Sequence, residues 1–294
     1  MPKGKVIGFN GMDKEEWISW SYGVWGDLRP DDDFGRLLAE RVISLYSKEG
    51  NVVLDPFAGR GGTLRAALFL NRPAVGIELK PELVVSCHEG IKLLEDELFG
   101  DEQSEAGSAD GDNTNQERKT LKKRYHVFTG SCMDYLPKIP KNSVDLIISV
   151  LPQPVYVPEP RRVYFKSKEQ QEEEEKKVAE TKQSLQDKRD ISIYNLQGWS
   201  VLIEVVLKQL YEVAKPESYC CLVVNDYREY KNDRLNYIPL HSVLFTIAES
   251  VGFRLHDIAV IDFNSFQELK ASGFPKEFCF NLNHSYLIVL KKVL

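Results

Sequence analysis

The chain has 294 residues, 43% of them apolar, a formal net charge of −6 and five cysteines. This length and apolar content suit one large α/β domain better than two small ones. With no apolar run of 18 residues a membrane span is excluded, and the start Met1-Pro-Lys-Gly-Lys-Val6 lacks the apolar stretch of a signal peptide, so an intracellular chain is expected, cytoplasmic or, in a eukaryote, nuclear. The cysteines Cys87, Cys132, Cys220, Cys221 and Cys279 are odd in number and show no C-x-x-C spacing, which supports neither a disulfide framework nor a zinc site.

In chain order, residues 1–33 read as an arm. Asp13-Lys-Glu-Glu16 is a capping box opening a short helix, and Trp17, Trp20 and Trp25 lie nearby, suited to packing on the core or to stacking on a base. A helix is predicted over Phe34–Tyr46. Strands follow near 51–54 and 74–77, with the glycine loop Asp55-Pro-Phe-Ala-Gly-Arg-Gly-Gly-Thr63 and a helix-forming run, Leu64–Leu70, between them. A helix over Pro81–Leu98 leads into an acidic insertion, 99–120, expected to be disordered. Within it, the stretch Gly100–Glu117 holds Asp101, Glu102, Glu105, Asp110, Asp112 and Glu117 with no Lys or Arg, so that stretch accounts for the whole net charge and the chain outside it is neutral.

Further strands are predicted near 125–128, 144–149, 219–224, 254–261 and 285–291. Between them lie a second, charged insertion at 157–190, a helix over Gly198–Leu210, and a helical pattern from His241 to Ser250. Alternating strands and helices of this kind predict a Rossmann-like α/β fold in one domain. Its seven-stranded, mostly parallel sheet carries helices on both faces, with one late strand antiparallel at the edge. His241 and His256 read as structural. Asp226 and Arg228, past the strand at 219–224, suit either substrate contact or a mutual ion pair. No metal cluster and no Ser-His-Asp spacing stands out.

The glycine loop carries the ligand argument. A glycine turn between a buried strand and a helix brings backbone close to a nucleotide-like ligand, but G-x-G-x-x-G and Gly-Lys-Ser/Thr are both absent, so pyrophosphate is not the expected ligand. Glu78, at the end of the second strand, is placed to bind the two hydroxyls of a ribose. Asp55 suits an ammonium group. Ribose plus amino-acid ammonium describes S-adenosylmethionine, held by Asp55, Pro56, Phe57, Ala58, Gly59, Gly61, Thr63 and Glu78. Ser131, Cys132 and Met133, after the third strand, are candidates to border its adenine.

With these segments in view, the chain resembles the S-adenosylmethionine-dependent amino-methyltransferases that modify adenine-N6 or cytosine-N4 in DNA. The resemblance rests on Asp55–Thr63, on Val75-Gly-Ile-Glu78, on Thr129-Gly-Ser-Cys-Met-Asp134, and on Asn142-Ser-Val-Asp-Leu-Ile-Ile148 leading to a catalytic loop. It implies methyl transfer to an exocyclic base amine, DNA in preference to RNA, and a partner subunit as one route to target recognition. In that family the loop reads [D/N/S]-P-P-[Y/F]: a side-chain oxygen and a proline carbonyl accept hydrogen bonds from the amine, and the aromatic stacks on the extruded base. Here the loop is Ser149-Val-Leu-Pro-Gln-Pro-Val-Tyr156. One alignment makes Gln153, Pro154 and Tyr156 the catalytic residues. A second, matched on distance from the strand, sets Val150 or Leu151 at the acceptor position, and neither side chain accepts a hydrogen bond. The altered loop leaves two alternatives beside base methylation: a degenerate homologue that binds cofactor or nucleic acid as an interaction module, and a methyltransferase acting on RNA or protein amines. In the second insertion Arg161, Arg162, Tyr164 and Lys166 interleave basic and aromatic residues, as a nucleic-acid contact or target-recognition loop requires. A surface lid is the other reading of that segment.

Overall fold

The computed structural model describes residues 14–28, 34–100, 121, 124–154, 188–231, 234–263 and 282–293. Tyr156, Arg161, Arg162, Tyr164, Lys166 and nearly all of the acidic insertion lie outside them.

A short helix α1 (Lys14–Trp20) and a two-residue strand β1 (Val24–Trp25) precede α2 (Phe34–Tyr46), β2 (Val53–Asp55), α3 (Gly62–Phe69), β3 (Ala74–Glu78), α4 (Pro81–Phe99), β4 (Tyr125–Thr129), the single turn α5 (Cys132–Tyr135) and β5 (Val144–Val150). The second half runs α6 (Leu196–Val213), β6 (Ala214–Val224), a hairpin of β7 (Tyr227–Lys231) and β8 (Arg234–Ile238), α7 (Leu240–Val251), β9 (Phe253–Asp262) and β10 (His284–Lys292). Eight strands form one sheet in the order β1-β9-β10-β6-β5-β2-β3-β4, and β7 and β8 pair separately.

Strict alternation along the central strands splits the interior into two cores. Val53, Leu146, Ile148, Cys221, Val223, Leu287 and Val289 face one side, where α2, α3 and α4 pack. Leu54, Ile147, Cys220, Leu222, Ile288 and Leu290 face the other, under α6 and α7, where Trp199, Ile203, Leu207 and Leu244 are buried. A period of two on strands buried on both faces gives near-continuous apolar runs. Cys220 and Cys221 are therefore small hydrophobes facing opposite cores.

The class is the expected one, with three differences. The antiparallel strand β10 is not at the edge: it lies inside the sheet, antiparallel to both β6 and β9. The edge position falls to β1, which pairs parallel with β9 through Val24 and Trp25. The hairpin β7–β8 was not anticipated. Trp25 is buried, and the Arg41 guanidinium sits over the rings of both Trp20 and Trp25 while pairing with Asp27. That cation–π clamp fixes this end of the arm to α2, which is the packing role for two of the three tryptophans.

From β2 the chain steps outward through β3 to β4, then returns to place β5 on the other side of β2. Strand order reverses between β2 and β5, and in open α/β sheets the ligand crevice lies outside the carboxyl ends of the strands at such a point.

Candidate active site

Asp55 ends β2 and Ser149 lies near the end of β5, so the reversal point brings together two polar side chains 94 residues apart in sequence. Ser149 Oγ donates to Asp55 Oδ1 at 2.5 Å. The same oxygen accepts the Phe57 amide at 3.0 Å, which folds the start of the glycine loop over the strand end. Burial pushes the Asp55 carboxyl up to about 6, against hydrogen bonds from Ser149, Thr63 and the Phe57 amide that hold it down, with Glu78 adding to the rise. Asp55 is buried and does not line the groove above it. It organises the loop from beneath, through the Phe57 amide and the Ser149 hydroxyl.

The loop itself is set by backbone. Gly59 and Gly61 take φ of 53° and 79°, values that favour glycine. A Cβ on Gly61 would lie 2.3 Å from Cys87 Sγ on α4, so glycine there also lets the helix approach. Ala58 donates to the Ile77 carbonyl at 2.9 Å, tying the loop to β3.

Glu78, buried at the end of β3, accepts the Gly59 amide at 2.8 Å on Oε2 and the Lys80 amide at 2.9 Å on Oε1. Each carboxylate oxygen keeps a lone pair. The carboxylate is thus aimed by two backbone donors and still able to accept two ribose hydroxyls. Beside it, Ser131 caps α5 by accepting the Met133 amide at 3.3 Å, and Cys132 is buried, its thiol pushed up to about 12 by desolvation. At that value it is a neutral wall, not a nucleophile.

A cavity of about 230 Å³ opens at this corner. Of the residues expected to hold cofactor, Pro56, Phe57, Glu78, Ser131 and Cys132 line it, whereas Asp55, Ala58, Gly59, Gly61 and Thr63 form the support behind. Sequence reasoning missed the opposite wall. Asp190 and Ser192 line the cavity too, brought back by the end of the charged insertion. Asp190 accepts from the Ser192 amide at 2.9 Å and hydroxyl at 2.6 Å, and lies 3.8 Å from Lys80 Nζ. Asp-Ile-Ser is an Asx-turn signal, but nothing local says which surface the turn meets.

The loop that sequence reasoning reads as catalytic leaves the sheet beside this cavity. Val150, Leu151 and Pro152 line it, and Val150 is 54% exposed. Leu151 donates to the Val223 carbonyl at 3.0 Å, and the Trp199 indole donates to the Pro152 carbonyl at 2.7 Å. Gln153 does not line the cavity. Its Nε2 donates to the Asn225 carbonyl at 3.2 Å, which engages one of the two amide N–H groups, and Oε1 remains an acceptor. Pro154 is buried. The geometry thus keeps both alignments: an apolar side chain at the strand end facing the cavity, and an oriented amide three residues on.

One polar cluster was not visible in sequence. At the end of β6, buried Asp226 accepts from the His241 backbone amide at 3.1 Å and lies 2.7 Å from His241 Nδ1. It also accepts from the Tyr237 hydroxyl. Ser242 Oγ stands 3.0 Å from His241 Nε2, so a Ser–His–Asp arrangement exists although the spacing did not announce it. His241 stacks on Tyr286, with ring centroids 4.2 Å apart. Asp226 pairs with this cluster and not with Arg228, which lies instead against the Tyr237 ring. Among the described residues no group of three or more His, Cys, Asp or Glu is arranged to hold a metal, and no helix is long and apolar enough to cross a membrane.

Residues 31–88 match the family model N6_N4_Mtase, described as DNA methylase. The chain is 39% identical over 100 residues to the type II methyltransferase M.BglI of Bacillus subtilis, a stretch that is 32% of this chain and 29% of that enzyme. It is 31% identical over 88 residues to the type II methyltransferase M.MjaI of Methanocaldococcus jannaschii, 28% of this chain and 29% of the relative. The chain therefore covers less than a third of the length of these curated relatives. Among solved structures it is similar to a precorrin-6y C5,15-methyltransferase from Geobacter metallireducens, at 12% identity, coverage of 97% and 100%, and a TM-score of 0.46. Another is the 1,6-didemethyltoxoflavin-N1-methyltransferase of Burkholderia thailandensis, at 9% identity, coverage of 89% and 80%, and a TM-score of 0.47. The fold assignment rests on the sheet order of the chain itself.

Proposed function

We propose, from the match of residues 31–88 to the DNA methylase family model and the partial likeness to type II methyltransferases, that the chain is a DNA amino-methyltransferase, which transfers a methyl group from S-adenosylmethionine to the exocyclic amine of a nucleic-acid base, adenine-N6 or cytosine-N4, in DNA rather than RNA. The observation that carries this reading is the Glu78 carboxylate, aimed by the Gly59 and Lys80 amides into a cavity at the strand-order reversal.

The residues present suit S-adenosylmethionine. Glu78 takes the ribose hydroxyls, Ser131 and Cys132 border the adenine, and the loop over Asp55 receives the methionine end. Bound there, the cofactor supplies an electrophilic methyl on a sulfonium. An exocyclic amine is a poor nucleophile because its lone pair is delocalised, so the chain must draw the nitrogen toward tetrahedral geometry with hydrogen-bond acceptors. Gln153 Oε1 and the Pro154 carbonyl are the acceptors, and Tyr156 stacks on the extruded base. Arg161, Arg162, Tyr164 and Lys166 contact the nucleic acid from the same insertion.

A second reading, a cofactor-binding module without transfer, is favoured by Val150: the strand-end side chain facing the cavity cannot accept a hydrogen bond. Transfer of labelled methyl to DNA, RNA and protein, with nucleoside analysis of the product, separates the readings. Label in N6-methyladenine or N4-methylcytosine is expected. Label only in RNA or protein moves the substrate class, and cofactor binding by calorimetry with no transfer to any of the three establishes the module.

A further inference from the structure

The hairpin β7–β8 pairs apart from the main sheet and packs on the second core through Tyr227, and a second of its residues is fixed to the sheet end through its hydroxyl. Tyr237 donates its hydroxyl to Asp226, a buried carboxylate that the His241 backbone and ring also hold. With its polar end tied down, the ring has little rotamer freedom left. It is nevertheless 44% exposed. The Arg228 guanidinium lies 5.6 Å from the ring centroid, and among the described residues no carboxylate pairs with it.

A fixed, exposed aromatic face with an unneutralised guanidinium beside it has the two elements of single-strand nucleic-acid recognition: a stacking surface that accepts any base, and a cation for the backbone. Its position fits. Two residues separate Tyr227 from the end of β6, and one of them, Asn225, accepts the hydrogen bond from Gln153. A strand with one base drawn toward the cavity therefore has its flanking nucleotides near this hairpin. A self-contained structural role for the hairpin leaves unexplained the exposure of Tyr237 and an Arg228 that has no carboxylate partner among the described residues.

We infer that Tyr237 and Arg228 form a nucleotide-stacking platform on the β7–β8 hairpin, which binds a base and the phosphate next to the target nucleotide. This rests on the nucleic-acid reading of the site, but not on methyl transfer taking place. Asp226 and His241 are positioning residues in it, holding Tyr237 without touching the strand.

Fluorescence anisotropy with a labelled single-stranded DNA oligonucleotide of mixed sequence, at several salt concentrations, tests it. Tyr237→Ala is expected to weaken binding roughly 5- to 150-fold, the range of one lost base–aromatic stack. Tyr237→Phe keeps the stacking face but loses the tie to Asp226, and is expected to bind more weakly than wild type and more tightly than Tyr237→Ala. Arg228→Gln lowers the slope of log affinity against log salt by about 0.7, as for one lost phosphate contact on a single strand. The Arg228→Gln measurement stands whether or not Tyr237→Ala folds. Wild-type binding that survives undiminished in Arg228→Gln and in folded Tyr237→Ala overturns the platform and leaves the proposed function intact. A wild-type chain that binds cofactor by calorimetry but no oligonucleotide overturns both.

Discussion

Two corners meet at the reversal between β2 and β5, and they are built from opposite materials. On the side proposed for cofactor the two acidic groups have backbone partners: Glu78 takes two amides, Asp55 takes one amide and two hydroxyls. On the target side the backbone is equally fixed, through Leu151 to Val223 and Pro152 to Trp199, but the side chains facing the cavity are valine, leucine and proline. Aimed carboxylates fit a polar ligand held in one orientation. A fixed but apolar wall supplies shape and excludes water, and leaves the choice of hydrogen-bond acceptor to whatever lies beyond it.

The sharpest way to break this contrast is to change the acceptor. If Gln153 Oε1 polarises the amine, Gln153→Ala lowers the rate of labelled methyl transfer about 10²- to 10³-fold while cofactor affinity by calorimetry is unchanged, the size of effect seen when one transition-state hydrogen bond is removed. Val150→Asn then changes the rate little. The reverse pattern, a neutral Gln153→Ala and a rate gained in Val150→Asn, moves the acceptor to the strand end and makes the native valine the reason for weak or absent transfer.

The next effect is on the cofactor side. Glu78→Ala removes the acceptor for the Gly59 and Lys80 amides and for the ribose together. Two unmet hydrogen bonds at a buried site cost about 3 kcal/mol, roughly a 100-fold loss of S-adenosylmethionine affinity. Affinity within a few fold of wild type removes Glu78 from the site and the proposed function loses its main support.

The same division governs what the sequence disclosed. Gly59, Gly61 and Glu78 act within a single strand–loop–helix–strand unit, so turn chemistry and spacing announce them. The strands were legible because burial on both faces makes each a continuous apolar run, but their order was not. Nothing in His284–Lys292 says that it inserts between β6 and β9, since that depends on which apolar faces remain to be covered once the parallel half has formed. Asp190 and Ser192 are the same case in the site, reaching the cavity after an insertion whose length hides the relation. Asp226 and His241, fifteen residues apart, were read separately, and only the hairpin between them brings carboxylate and imidazole together.

A smaller effect follows from the raised Asp55 carboxyl, at about 6. At the proposed site an ionised Asp55 would favour a cationic ammonium above the loop, so S-adenosylmethionine affinity is expected to be highest above pH 6 and to decline as pH falls through it, by no more than about tenfold per unit. Folding stability responds with the opposite sign. A carboxyl raised from an unfolded value of 3.8 contributes stability that is fully present below that value and is lost as pH rises through about 6, at most about 3 kcal/mol for a group so buried. Across pH 4–8 calorimetric affinity therefore rises with pH while thermal stability falls if Asp55 lies beneath the ligand, and affinity stays flat while stability still falls if it does not.

Ser149→Ala has the smallest effect and bears on the boundary between the two corners. Ser149 sits on the target-side strand, yet its hydroxyl holds the cofactor-side carboxylate at 2.5 Å and is the first of the groups that lower the Asp55 carboxyl. Without it desolvation is opposed less, so the Asp55 value rises above 6, and the pH at which cofactor affinity begins to fall rises with it. At pH 8 the variant retains most of the wild-type affinity, because Asp55 is still largely ionised and the Phe57 amide still holds it. The loss appears near pH 6.5. A midpoint that does not move means that the two strands meet without exchanging charge, and the corners are then independent in chemistry as well as in composition.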